Sequence, residues 1–234
     1  MNQPRAQSRK PKADSDRGIA LIVAMLTMML LSALGLSLTM VTMTEARVAH
    51  SYSSGNESFY AADAALERAV NELAQLPDWN RVLDGSVSSS FVDPAVASRP
   101  WPGGRGRTST EATALVTCAR TSCSATEMDA RTAGRPWGPN NPRWRLFVYG
   151  PLSAMSQSGA IDSREYIAVW VADDPLENDD NPLVDGDESR GPNPGRGVLS
   201  LLVHAYGMST ERAVDATVAR TANGVRVVSW REIR

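Results

Sequence analysis

From Ile19 to Thr44 the chain runs twenty-six residues without one charged side chain. As a helix that segment is roughly 39 Å long, more than the ~30 Å hydrocarbon core of a bilayer. Core helices of globular proteins seldom run so far without a charge, so the segment is expected to enter a membrane. Before it stands MNQPRAQSRKPKADSDRG, polar and proline-containing, with Arg5, Arg9, Lys10, Lys12 and Arg17 against Asp14 and Asp16. Such a stretch reads as disordered and cationic. A positive flank ahead of the apolar run keeps the N-terminus cytoplasmic and sends the remainder across. A cleaved secretory signal has an apolar region of about 7–15 residues ending at a small-residue site. This run is much longer, and Ser32-Ala33-Leu34-Gly35 is a poor match to such a site.

The segment after the apolar run narrows the fold. Val48, Tyr52, Gly55, Phe59, Ala62, Leu66, Ala69, Leu73 and Leu76 step alternately by four and three, placing them along one helical face. Glu57, Asp63, Glu67, Arg68 and Glu72 fall off that stripe. No proline stands between Pro11 and Pro77, so one helix over 19–76 is permitted, apolar all round over 19–44 and amphipathic beyond. Two helices broken near Ser53-Ser54-Gly55-Asn56 are the alternative, since glycine costs about 1 kcal/mol in a helix.

Residues 77–234 read as a globular head. Its first part, 77–142, is rich in Ser, Thr, Gly and Pro and predicts long loops with short strands, Thr113–Thr117 among them. Trp101 and Trp137, each beside a proline, are either a ligand-binding surface or the cover of an irregular core. The second part, 143–234, carries five β-branched or aromatic-rich runs, at 143–150, 165–173, 197–209, 211–221 and 224–233. Asn223-Gly224 between the last two is a hairpin signal. A long helix with an antiparallel meander gives an α+β fold.

Chemistry-bearing residues are few. Outside the cytoplasm, Cys118 and Cys123 in TCARTSC are expected to form a disulfide closing a short loop. With His50 and His204 distant in sequence, a four-ligand zinc site is poorly supplied. The segment 172–195 is strongly acidic. Asp179, Asp180, Asp185 and Asp187 are candidate Ca²⁺ ligands, although the spacing fails the EF-hand pattern, and a solvated acidic loop is the plainer reading. No cofactor is required by any motif. No phosphate loop, H-E-x-x-H or G-x-S-x-G stands in the sequence, and an enzyme is not expected. Net charge is -2 and the pI about 5.8, so no global bias points to nucleic acid. Arg99, Arg105, Arg107, Arg131, Arg135, Arg143 and Arg145 form only a weak basic cluster, and no specific nucleic-acid partner is predicted.

The basic leader ending in Gly18, the uncharged helix and SYSSGNESFYAADAALERAVNEL together resemble the N-terminus of type IV pilins. The segment Phe59-Tyr60-Ala61-Ala62-Asp63-Ala64-Ala65-Leu66 is similar to that of PilX-type minor pilins. The resemblance covers roughly residues 10–76, and GVRVVSWREIR at 224–234 resembles the terminal strand of such proteins. It implies a pilin-like fold, a leader over 1–18 and cleavage between Gly18 and Ile19 by prepilin peptidase. Ile19 would then be N-methylated, with Val23, Phe59, Ala62 and Leu66 on the assembly helix. The implied partners are the inner membrane, other minor pilins and the major pilin in a hetero-oligomeric filament. The implied location is the inner membrane with a periplasmic head, then a pilus at the cell surface. Val23 stands where major pilins carry a glutamate, which points to a minor subunit that primes assembly at or near the tip. A minor pseudopilin of type II secretion, similar to pseudopilin K, is an alternative. A signal-anchored periplasmic enzyme or sensor is another.

Overall fold

A computed structural model describes residues 14–98, 100–103, 106–130, 142–156, 161–177, 179, 181–186 and 195–233. The leader over 1–13, Arg99, Arg105, Arg131, Arg135, Trp137, Asp180 and Asp187 lie outside the described residues. The chain divides into two compact units, Met1–Ser51 and Tyr52–Arg234.

Helix α1 runs from Asp14 to Gln75 without a break. Continuity through Ser53–Asn56 settles the one-helix reading. Gly55 is buried, and a Cβ placed on it would lie 3.0 Å from Nη2 of Arg212. The glycine there answers a close approach, and the helix continues past it. In the first unit every described side chain from Ile19 to Ser51 is exposed, Met29 to 73 %.

In the second unit, the α1 residues from Tyr52 onward form one wall of the core. Ala61, Ala62, Ala65, Leu66, Ala69 and Leu73 are buried against Ile167, Val169, Leu201, Val203, Val214 and Ala216. Small residues dominate the helix side of that contact. Of the expected stripe, Gly55, Ala62, Leu66, Ala69 and Leu73 are buried and Phe59 and Leu76 half-buried, whereas Val48 and Tyr52 are exposed. Pro77 ends the helix, and the indole of Trp79 returns to donate to the Leu73 carbonyl at 2.9 Å. Arg220 donates to the Leu76 carbonyl at 2.9 Å and lies over the Trp79 ring at 4.3 Å. The last carbonyls of the helix thus find donors where the chain turns away.

The sheet has five antiparallel strands in chain order: β1 (Arg145–Pro151), β2 (Tyr166–Asp173), β3 (Val198–Tyr206), β4 (Glu211–Thr221) and β5 (Gly224–Ile233). The meander follows from short connections at 207–210 and 222–223, where Thr221 pairs with Gly224 across the last turn. The connections into β2 (152–165) and into β3 (174–197) are longer. All eight residues of β2 are buried, because both faces of the sheet are covered. One face meets α1. The other carries Tyr166, Ala168, Trp170 and Tyr206 under Trp101 and Ala112.

The loop-rich part contains α2 (Asn80–Leu83), α3 (Ser109–Cys118) and α4 (Ala125–Ala130). Val82 and Leu83 of α2 join the core that α1 builds, whereas Ala112 and Val116 of α3 pack on the aromatic face. The strand expected over Thr113–Thr117 is therefore a correction: the segment is helical. Thr108 and Glu111 close a capping box, the threonine hydroxyl accepting from the Glu111 amide and the Glu111 carboxylate from the Thr108 amide. Thr113 and Thr117 donate to carbonyls four residues back, at 3.0 and 2.9 Å. A good cap and satisfied hydroxyls outweigh the β preference of Thr and Val. Trp101 belongs to the core, 4 % exposed, with its ring centroid 5.7 Å from those of Tyr166 and Trp170.

Leu73 is fully buried in this core, so Leu73→Ala should destabilise the head by about 2–5 kcal/mol in chemical denaturation. Glu72 behaves differently. Burial raises its carboxyl, but hydrogen bonds from Ser89, Ser90 and Arg68 prevail and hold it below the ordinary glutamate range. Its contribution is present above that ordinary range and is lost as pH falls through the lowered value. The melting-temperature gap between wild type and Glu72→Gln should be open at neutral pH and close in acid.

Candidate membrane-anchoring and assembly site

The apolar segment reads upward from Gly18, where charge gives way to Ile19, Leu21, Ile22 and Val23, all exposed. A Cβ on Gly18 meets nothing within 4 Å. No packing contact in the fold requires glycine at that position, although glycine weakens a helix.

Within the span, polar side chains are confined to six hydroxyls, and five of them are internally spent. Thr27 donates to the Ala24 carbonyl, Ser32 to Met28, Thr39 to Gly35, Thr42 to Thr39 and Thr44 to Met40, at 2.8–3.0 Å. Backbone groups are paired by the helix itself, so the surface offered outward is mainly apolar with most of its donors satisfied. This is the condition for a segment in hydrocarbon. By length and composition the helix suffices to cross a membrane. Ionisable side chains begin again at Glu45.

The residues expected on an assembly helix fall into two settings. Ile19 and Val23 are exposed, at 59 % and 53 %. Ala62 and Leu66 are buried, Phe59 is half-buried, and they serve the head's own core and margin. Phe59 stands edge-on to Tyr60 at 5.6 Å and to Trp230 of β5 at 5.9 Å. Tyr52, expected on the buried stripe, and Tyr60, which carried no expectation, are the large exposed side chains of this stretch.

In the loop-rich part, Cys118 and Cys123 are bonded, with Cα atoms 6.4 Å apart, across the left-handed turn at Ala119 that ends α3. The acidic segment is arranged otherwise than its sequence suggests. Asp173, Glu177 and Asp185 each bring a carboxylate oxygen within 4.8 Å of the others. Asp179 is not among them, and Asp173 and Glu177 stand outside the ligand set expected from sequence. Three carboxylates suit a hard cation such as Ca²⁺, which takes six to eight oxygens. Two of these oxygens accept backbone amides, Glu177 from Gly186 at 3.1 Å and Asp185 from Gly197 at 2.6 Å. The group thereby ties the two ends of the crossing between β2 and β3. Burial raises the Asp174 carboxyl, against the Leu176 amide.

His204 lies on β3, where Nδ1 is 2.8 Å from the Glu211 carboxylate and the ring stacks on Tyr206. That is a satisfied structural histidine. Of the basic cluster, Arg145 donates to the Leu83 carbonyl at 3.1 Å and so serves the fold.

These features define a class: an α+β head whose first helix continues from an apolar, membrane-length segment. Residues 17–67 match the PilX N-terminal family model. The matched segment is about a fifth of the chain. No curated protein and no solved structure matches the chain.

Leu30 lies near the middle of the span and is exposed. Replacing it with arginine should cost about 2.5–3.5 kcal/mol of insertion free energy, read as a fall in the membrane-integrated fraction during in vitro insertion.

Proposed function

We propose that this protein is a minor pilin of a type IV pilus, helping to prime assembly and sitting at or near the tip. The carrying observation is the PilX N-terminal match over 17–67, laid on a helix whose apolar half is exposed along its whole length. Prepilin peptidase removes residues 1–18 on the cytoplasmic side, and the exposed amine of Ile19 is methylated. The glycine at 18 supports this reading, since nothing in the helix packs against it. A cut there discards the cationic leader and keeps the whole apolar segment as an assembly helix.

Val23 supports the minor role. A carboxylate in hydrocarbon is costly without a partner, and a subunit with valine at this place offers none to the amine of a neighbour. Such a subunit suits a filament end, beside other minor pilins and above the major pilin. The head is then periplasmic before assembly and displayed at the cell surface afterwards. In this reading the chain acts as a structural subunit.

Intact mass of membrane-extracted protein tests the proposal. The expected mass lacks residues 1–18 and carries one added methyl group, while Gly18→Trp leaves the chain full-length. A full-length wild-type protein would overturn the pilin reading. Recovery along the filament in proportion to the major pilin would overturn the tip position alone.

A further inference from the structure

Helix α1 is fastened to the head at Ser54–Ser58 by oxygens. Ser58 Oγ lies 2.6 Å from Thr210 Oγ1, and Thr210 donates to the Ser54 carbonyl at 3.4 Å. Glu57 accepts from Ser163 at 2.7 Å. Between these ties sits Glu165, the residue before β2, only 4 % exposed. Its backbone is pinned, the amide to Ser163 Oγ at 3.2 Å and the carbonyl accepting from Leu152 at 2.8 Å. A Cβ built on Gly207, in the turn between β3 and β4, would lie 2.4 Å from Glu165 Oε1, 2.8 Å from Thr210 Oγ1 and 3.1 Å from Ser58 Oγ. Three oxygens from three elements therefore converge on the one turn position that has no side chain.

The other carboxyl oxygen decides the chemistry. Glu165 Oε2 is buried with no hydrogen-bond partner among the described residues. As a carboxylate it would hold charge on an oxygen that no donor satisfies, at a cost larger than for a neutral polar atom. As the neutral acid it becomes a donor in a site rich in acceptors. We propose that Glu165 is a proton-operated clasp, closed when protonated, that holds the Ser54–Ser58 segment of α1 on the head and loosens when it ionises. The step is the uptake of one proton from solvent by one carboxylate.

The charged groups around the clasp support that direction. On α1, Glu57 is a like charge close enough to oppose ionisation of Glu165. Ahead of β2, Arg164 turns its guanidinium to the sulfur of Met208. On β4, Arg212 is engaged by Glu232 at 2.8 Å. The turn at 207–210 supplies Gly, Met, Ser and Thr, none of them charged. Burial first, then Glu57, raise the Glu165 carboxyl above the ordinary glutamate range, against the Ser58 hydrogen bond that lowers it. The folded head thus holds this proton more tightly than the unfolded chain. The fastening is complete below the ordinary range and is lost as pH rises through the elevated value.

Hydrogen exchange on the full chain in detergent micelles, from about pH 4 to about pH 8 and corrected for intrinsic rates, tests the clasp. Wild-type protection at residues 54–60 should fall by about tenfold for each pH unit between the ordinary and the elevated value. Glu165→Gln, which mimics the neutral acid, should keep its acid-side protection throughout. Glu57→Gln should move the wild-type midpoint to lower pH. Parallel profiles for wild type and Glu165→Gln would overturn the proposal, as would a Glu165→Gln protein that is weakened equally at every pH. Should that variant fail to fold, an unmoved midpoint in Glu57→Gln overturns it. The measurement does not depend on whether residues 1–18 are removed or on entry into a filament.

Discussion

The contact on which the head depends is the alanine-rich seam of α1 against the sheet. Ala61, Ala62, Ala65 and Ala69 are at most 1 % exposed, and they face strands whose inward residues are Val, Ile, Leu and Ala. Because these positions are fully buried in a packed core, tolerance for larger side chains is low. The far side of the sheet is shaped by the same contact. With one face sealed by a helix, the aromatic face needs its own cover, and Trp101, α3 and the loops around them provide it.

Two kinds of chemistry thus meet in one helix. In one stretch the surface is apolar and turned outward, with five of its six hydroxyls folded back on their own backbone. In the other, apolar residues turn inward and carboxylates and tyrosines remain outside. Since every side chain from Ile19 to Thr44 is exposed, the residues there are free to be selected for lipid and neighbours. Val23 fits that freedom: it is neutral, and nothing in the fold fixes its identity.

Much of this was legible from residue spacing. The four-three stripe located the buried face of α1 because helical periodicity and a one-sided core impose the same pattern. The strands were legible because β2 is apolar throughout and β3 and β4 alternate, as burial on two faces or one requires. Thr113–Thr117 misled, since β-branched residues weigh toward strands, and the decisive cap lay upstream at Thr108. The acidic group was legible as a region but not as a set. Asp173 and Glu177 join Asp185 only because the chain crosses from β2 to β3, a relation absent from local spacing. Gly207 was legible as a turn, but its meeting with Ser58 and Glu165 was not, because three distant segments supply them.

The order of the strands has a consequence for synthesis. A chain made from its N-terminus completes α1 long before β2, β3 and β4 exist to receive it, and about a hundred residues separate the seam from the first central strand. During that interval the inward stripe lacks its partner. Alanines expose little apolar area, so a stripe built mainly of them gives chaperones and sister chains little to grip, whereas one of leucines would be adhesive. The meander then closes strand by strand onto its predecessor, the last two pairings across tight turns and the crossings into β2 and β3 across longer segments. The small residues that line the finished seam are also the ones that keep the helix harmless while it waits.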